Sequence, residues 1–392
     1  MTAVDPVALT QELVRLPTLG GTEAELEGQE WVADQWRRLG LDVEVWDEDP
    51  AELRAVLGYP GEEVERRVVR CAVARWPGTG GGRSLLLNGH VDVVPTGDLS
   101  QWSVDPWSGA IVDGDLWGRG SCDMKAGLVV NLAAVAALME AGVRPAGDVV
   151  LQSVVGEEDG GVGTFATLRR GHRADAGIVT EPTAGKVVVA NAGALTFRLV
   201  VHGKNAHGSV RYEGVSAVER FVPVLNALQE LEAKRNVDPD PLIADREIPY
   251  CLSIGTVRAG EWASTVPDRL VAEGRLGVIL DEDPEVARAQ LEDALAGLDV
   301  EVEWVGGQFA SGRLPAGHPI LDVVQAAAGA PTPVAAAPYG SDLRLLAAAG
   351  VPTLHVGPGD VKLAHAPDER VPVADIERYV DLLAGVIVRW CS

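Results

Sequence analysis

The stretch Leu85-Leu86-Leu87-Asn88-Gly89-His90-Val91-Asp92-Val93-Val94-Pro95 decides how the rest of this 392-residue chain is read. Three consecutive leucines, bounded by a glycine-rich turn upstream and a polar cluster downstream, describe a short strand buried on both faces. The strand runs into His90 and Asp92, and side chains at i and i+2 of an extended chain point to the same side. One can ligate a metal while the other holds the imidazole's second nitrogen and fixes its tautomer. The same pair can equally be a satisfied couple at a strand end. The neighbouring strands decide between the two.

They repeat the pattern. An apolar run at 149–155 ends in Gly156-Glu157-Glu158-Asp159-Gly160-Gly161, and another at 176–180 ends in Glu181-Pro182-Thr183. Between them, the segment 117–127 (WGRGSCDMKAG) leads into an Ala-, Leu- and Val-rich helix reaching about residue 141. Upstream, Asp5-Pro6 opens a helix to about residue 16, and Thr22 caps a second over 23–39 that Gly40 stops. Strands follow at 41–46 and 68–76, separated by a charged stretch without period at 47–67, read as a surface loop or short helix. The turn at 77–83 (PGTGGGR) looks like a phosphate loop but lacks the Lys-Ser/Thr ending. Strands alternating with helices, each strand ending in a polar loop, predict an open α/β mixed sheet with its site along the strands' carboxyl ends.

The periodicity then changes. Strand at 194–202, helix at 215–234, strands at 250–258 and 269–280, helix at 283–296 and strand at 300–305 give β-α-β-β-α-β, the ferredoxin-like order. This predicts a small domain over residues 189–305, inserted between a first part (1–188) and a second part (306–392) of the α/β domain. The second part carries helices near 320–329 and 342–349, a strand at 353–356 and a terminal helix at 373–390.

A formal charge of -24 argues against nucleic acid or an anionic membrane as partner, since both demand a basic face. Cys71, Cys122, Cys251 and Cys391 have no C-x-x-C spacing, which points to reduced thiols and a cytoplasmic setting. The first residues show neither a basic n-region nor an apolar h-region, and no run reaches eighteen apolar residues.

His90, Asp92, Asp123, Glu157, Glu158, Glu181 and, much later, His365 are the polar residues of these strand ends and their loops. Two histidines and several carboxylates suit zinc, cobalt or manganese. So many acids in one cleft need cations between them, and a pair of divalent ions answers that need.

Seven stretches, in order, resemble the co-catalytic zinc amidohydrolases and peptidases that include acetylornithine deacetylase, succinyl-diaminopimelate desuccinylase, aminoacylase and carboxypeptidase G. They are GHVDVVP at 89–95, GRGSCDMKAG at 118–127, GEEDGG at 156–161, TEPT at 180–183, GKNAHGS at 203–209, GSDLR at 340–344 and AHAPDERV at 364–371. The resemblance implies that His90 and Glu181 bind one metal, Glu158 and His365 the other, and Asp123 bridges them. It makes Asp92 the carboxylate that orients His90. It makes Glu157 the base that takes a proton from the attacking water and passes it to the leaving amine. It implies a cis peptide after Asp123, and a role for His207 in stabilising the oxyanion across a dimer interface. It assigns Arg275 to the substrate's carboxylate, and places Arg344, with Asp342, near the substrate pocket.

The family's usual Asn-x-x-Pro is replaced by Ser264-Thr265-Val266-Pro267, which puts a hydroxyl where an amide would bind substrate. Glu181, an Asp in some peptidase members, leans toward the deacylases. The expected function is metal-dependent hydrolysis of an amide bond, most naturally deacylation of an N-acyl amino acid. The expected cofactor is two divalent ions, zinc first, and the expected assembly is a homodimer joined through the inserted domain, which doubles as a lid. A carboxypeptidase or dipeptidase is the near alternative. A non-catalytic metal-binding relative is the distant one, disfavoured because every ligand and the base Glu157 are present.

Overall fold

The computed structural model of the chain describes residues 4–392. Its larger sheet has nine strands and is mixed. Leu85–His90, Val149–Val154 and Ala176–Val179 are buried at every residue, as continuous apolar runs demand when helices cover both faces. Leu85–His90 lies between the other two and runs parallel to both. Val69–Trp76 and Asp42–Glu48 extend the sheet beyond Val149–Val154 with antiparallel pairing. Thr353–His355, Val187–Asn191 and Gly312–Arg313 extend it on the other side, and Val334–Ala337 pairs with Val187–Asn191.

Two helices form much of the cover. Ala126–Glu140 carries almost no polar face, and nearly all its residues are buried. Together with the turn before it, it is long and apolar enough to cross a membrane, yet 83% of that stretch lies inside the protein. The terminal helix Val373–Trp390 packs on it with Ile376, Tyr379, Leu383, Val386, Ile387 and Trp390, a stripe at helical spacing.

The second sheet has four strands, in the spatial order Leu252–Ala259, Arg269–Val278, Gly193–His202, Val300–Phe309, all antiparallel. Leu195, Phe197, Leu199 and Val201 alternate onto one face and meet Phe221, Val224, Leu228 and Leu231 of the helix Ala217–Arg235. Ala287 and Leu291 of Pro284–Ala294 complete this separate core. The β-α-β-β-α-β reading is thus realised as helices on one face of an antiparallel sheet.

Both ends of the inserted unit differ from the expected 189–305: residues 189–191 belong to Val187–Asn191 of the larger sheet, so the unit's first strand begins at Gly193. The last strand of this sheet does not stop at 305 but continues to Phe309, through an irregularity between Trp304 and Gln308. Gly306 and Gly307 at that point read as a stop in sequence, but they form a bulge that bends the strand toward the larger domain. In the 47–67 stretch the structure resolves a short helix, Pro50–Arg54, capped by Asp49.

Candidate metal centre and active-site cleft

The central parallel strands explain why the chemical residues meet. The chain passes from Leu85–His90 to Val149–Val154 on one side and then crosses back to Ala176–Val179 on the other, so the strand order reverses here and leaves a crevice at the carboxyl ends. His90 is the strand's last residue, Glu157 and Glu158 follow Val149–Val154, and Glu181 follows Ala176–Val179. Adjacent parallel strands end side by side, which delivers all four residues to one place. Asp123 enters from the turn ahead of Ala126–Glu140, through the cis Asp123–Met124 peptide that the resemblance implied. His365 arrives from the loop after Thr353–His355, in the left-handed region with φ of 61°.

The two oxygens of Asp123 look in opposite directions. Oδ1 is 3.2 Å from His90 Nε2, and Oδ2 is 3.6 Å from His365 Nε2. Glu181 lies 3.8 Å from His90 Nε2, and Glu158 lies 2.9 Å from His365 Nε2. One carboxylate therefore stands between two imidazole–carboxylate pairs, the arrangement that a bridging ligand with two ions requires. Glu157 is also within 3.9 Å of His90 Nε2. His90, Asp123 and Glu158, and likewise His90, Glu157 and Glu181, present donor atoms close enough to share one ion. Nitrogen and oxygen donors without sulfur fit zinc and its neighbours in the first row.

The imidazole of His90 is oriented differently from the expectation. Its Nδ1 donates to the main-chain carbonyl of Asp92 at 2.9 Å, while the Asp92 carboxylate stands 3.7 Å away. A carbonyl can only accept, so Nδ1 carries a hydrogen, and Nε2 is the nitrogen turned toward the cluster and Asp123. The Asp92 carboxylate instead receives the backbone N–H of Glu157 at 3.4 Å and of Glu158 at 3.2 Å. It anchors the turn that separates these two adjacent acids.

Two residues that sequence reasoning passed over hold Asp123 in place. Glu369, fully buried, accepts from the backbone N–H of Cys122 and of Asp123, both at 3.0 Å. Its other oxygen accepts from Arg119 at 2.6 Å, and Arg119 also donates to the carbonyl of His365 at 3.3 Å. One buried ion pair thus fixes the backbone of Asp123 and of His365 together. Both residues sit inside quoted motifs, GRGSCDMKAG and AHAPDERV, where an Arg and a Glu flanking the ligands were the available signal.

Burial raises the carboxyls of Glu157 and Glu181 well above the carboxylate range, and Glu158 in the same direction, with neighbouring acids adding to each. Burial acts the same way on Asp123, but the hydrogen bond and charge of His90, then His365, outweigh it and hold Asp123 low. His365 is pushed up to about 9, chiefly by its hydrogen bond to Glu158. On His90, burial is outweighed by Asp123 and the surrounding acids, and its pKa rises well above the usual value. These shifts come from acids and imidazoles crowded into one buried cluster, and its donors fit a pair of divalent ions.

The acids open into a cleft of about 310 Å³ between the two sheets. Arg275, from Arg269–Val278, lines it opposite the acids, as do Thr196, Phe309, Tyr339 and Glu63. Among the described residues, Arg275 donates only to the carbonyl of Pro338, at 3.3 Å. Phe309 was hidden by the strand extension, Glu63 by the aperiodic charge of its segment, and Tyr339 by its place beside an Ala/Pro-rich run.

Three expected residues are not in this cleft. Arg344 is buried behind it, donating to the carbonyl of Gly160 at 2.5 Å and stacking on Phe309, so it supports the Glu157–Glu158 loop and cannot face a substrate there. His207 is exposed on the inserted domain, its Nδ1 bonded to the Ser209 hydroxyl at 2.7 Å. Ser264 lies beside it, its carbonyl accepting from the Gly208 N–H. Neither reaches the cleft of its own chain.

Comparison with known proteins agrees with this picture. The chain is 27% identical to the N-formyl-4-amino-5-aminomethyl-2-methylpyrimidine deformylase of Bacillus subtilis, over 98% of this chain and 94% of that protein. It is 30% identical to the succinyl-diaminopimelate desuccinylase of Methylobacterium nodulans, over 97% of this chain and 95% of that protein. Its fold superposes on an M20 family metallo-carboxypeptidase of Sulfolobus solfataricus with a TM-score of 0.79, covering 99% of both chains at 16% identity. The model of peptidase family M20/M25/M40 matches residues 86–389, which spans every residue of the cluster, and the chain belongs to that family of metal-dependent hydrolases.

Proposed function

We propose that this hydrolase is a deacylase, which cleaves the amide bond of an N-acyl amino acid or related amine and uses two zinc ions. The observation that carries the reading is the Asp123 carboxylate standing between His90 with Glu181 and His365 with Glu158, above a cleft closed on its far side by Arg275. When bound, two zinc ions polarise the scissile carbonyl and bring the pKa of water toward neutrality. Glu157, with its proton affinity raised by burial, is suited to take the proton of the attacking water and return it to the leaving nitrogen. Arg275 holds a substrate carboxylate and so sets which amide bond lies over the acids. The likeness to a deformylase and a desuccinylase supports acyl transfer to water over peptide cleavage. A carboxypeptidase or dipeptidase reading draws on the same Arg275, since a peptide's terminal carboxylate would bind it equally well.

His207, exposed and outside its own cleft, supports a homodimer in which it stabilises the oxyanion in the partner's cleft. Val218, Val222 and Leu225 are exposed on one side of Ala217–Arg235, an apolar surface that a second copy would cover. In this reading residues 189–305 act as lid and dimerisation unit. The unpaired cysteines support a reducing, cytoplasmic setting. The test is hydrolysis of N-acetyl, N-succinyl and N-formyl amino acids and dipeptides by metal-stripped protein with zinc added back, with Glu157→Ala as control. Zinc-restored cleavage of acyl amino acids, lost in the variant, is expected; cleavage of dipeptides alone would replace the deacylase reading.

A further inference from the structure

Three segments far apart in sequence meet backbone to backbone beside the cleft. Gly61 packs on Gly306 so closely that a Cβ would lie 2.2 Å from the Gly306 carbonyl oxygen. Gly160 packs on Gly61 in the same way, at 2.2 Å, and a Cβ on Gly307 would stand 3.0 Å from the carbonyl of Asp159. The Gln308 N–H donates to the Pro60 carbonyl at 3.0 Å. The bulged strand of the inserted domain, the 60–66 segment and the loop carrying Glu157 and Glu158 are therefore in direct main-chain contact, with no side chain between them to absorb a displacement.

Hydrogen bonds run through the same seam. One oxygen of Asp159 accepts from the N–H of Glu63 at 3.0 Å, the N–H of Val64 at 2.8 Å and the Arg66 guanidinium at 2.8 Å. Arg66 is buried and reaches Glu25 at 3.2 Å, which ties the segment down from behind. On the cleft side, Glu63 accepts from the Thr196 hydroxyl at 2.9 Å and from the Gly307 N–H at 3.4 Å. Thr196 is the direct cross-strand partner of Arg275, and both line the cleft. A continuous chain of contacts thus leads from Arg275 and Thr196 on the inserted domain, through Glu63 and the 63–64 amides, to Asp159 and its neighbours Glu158 and Glu157.

We infer that residues 60–66 form a strap through which the inserted domain sets the geometry of the Glu157–Glu158 loop, with Glu63 and Asp159 as positioning residues. This rests on the proposed role of Glu157 as base.

The experiment measures hydrogen–deuterium exchange and steady-state kinetics on the full-length, zinc-loaded protein and its variants Thr196→Val, Glu63→Ala, Glu63→Gln and Asp159→Asn. Thr196→Val preserves shape and removes only the hydroxyl. Thr196→Val and Glu63→Ala are expected to speed exchange of the amides of residues 158–161 by about fivefold, the loss of one hydrogen bond. They are also expected to lower kcat by about three- to tenfold with KM within about twofold and zinc content unchanged. Glu63→Gln keeps the accepting oxygen and is expected to restore both. Thr196→Val combined with Asp159→Asn is expected to cost no more than the worse single variant, since both break one chain of contacts. The inference is overturned if exchange rises only at residues 306–308 while 158–161 stay as in wild type, or if the two substitutions multiply. If the wild-type protein hydrolyses none of the amides, the deacylase reading fails while the exchange data still decide the strap.

Discussion

Glu369 offers the most demanding check on how the metal centre is built. Its two oxygens accept from the N–H groups of Cys122 and Asp123 and from Arg119, all within the buried interior. Glu369→Ala leaves two amide donors without partners and strips the buried Arg119 guanidinium of its carboxylate, leaving it only main-chain carbonyls to donate to. Each stranded polar group costs about 1–3 kcal/mol, and breaking a buried ion pair costs about 3–5 kcal/mol. Because these losses overlap, a total of about 3–5 kcal/mol is expected, divided between the fold and the ions. Glu369→Gln is subtler: its amide can serve the two N–H groups with its oxygen, but it then presents an NH2 to Arg119. Loosening Asp123 in this way is expected to weaken zinc binding about 10- to 100-fold, the range seen when a ligand's supporting partner is lost. The assay is zinc competition against a chromophoric chelator, paired with denaturant unfolding of the metal-free protein. Zinc affinity of Glu369→Gln within twofold of wild type would refute the claim that Glu369 positions the bridging carboxylate.

Glu157→Ala is expected to keep both ions, by elemental analysis, while kcat falls about 10²- to 10⁴-fold, the usual worth of a general base; loss of the ions would instead make Glu157 a ligand. Arg275→Ala is expected to lower kcat/KM about 10- to 100-fold for carboxylate-bearing substrates and little for their methyl esters, a contrast that equal losses on both would contradict. Zinc stabilisation should depend on pH. Glu157, Glu158, Glu181, His90 and His365 have folded-state pKa values raised in the metal-free protein. Their contribution to its stability is full below their unfolded values and is lost as pH rises through the raised ones, about 9 for His365. Zinc replaces those protons, so the rise in Tm on adding zinc is expected to grow from pH 5.5 to pH 8, and an equal rise at both would count against the assignment. Lys125, lowered by burial to about 7, has the opposite sign.

Much of this was legible in the sequence because strand burial and ligand delivery are the same feature. The runs ending at His90, Glu157 and Glu181 are rich in Leu, Val and Ile and buried at every residue because the strands are central, and central parallel strands are the ones whose ends converge. The β-α-β-β-α-β order was equally plain, since its helices and strands switch period cleanly. Contacts set by backbone course were not legible. Whether His90 meets the carboxylate or the carbonyl of Asp92 depends on how the chain turns after the strand. Gly306 and Gly307 carry no signal that separates a bulge from a strand end, so Phe309 was lost from the cleft. Arg344 sits in a recognisable motif, but only the packing of Phe309 and Gly160 shows that it points away from the cleft. Glu63 lies in an aperiodic charged segment whose order comes from Asp159 and Arg66, both distant or unremarkable in sequence.

The measurement that bears most directly on the central claim is anomalous X-ray scattering at the zinc edge from crystals of the zinc-loaded protein. Two peaks about 3.5–4 Å apart are expected, one beside His90 and Glu181, one beside His365 and Glu158, with Asp123 between them. A single peak, or two that leave Asp123 in contact with only one ion, would contradict it.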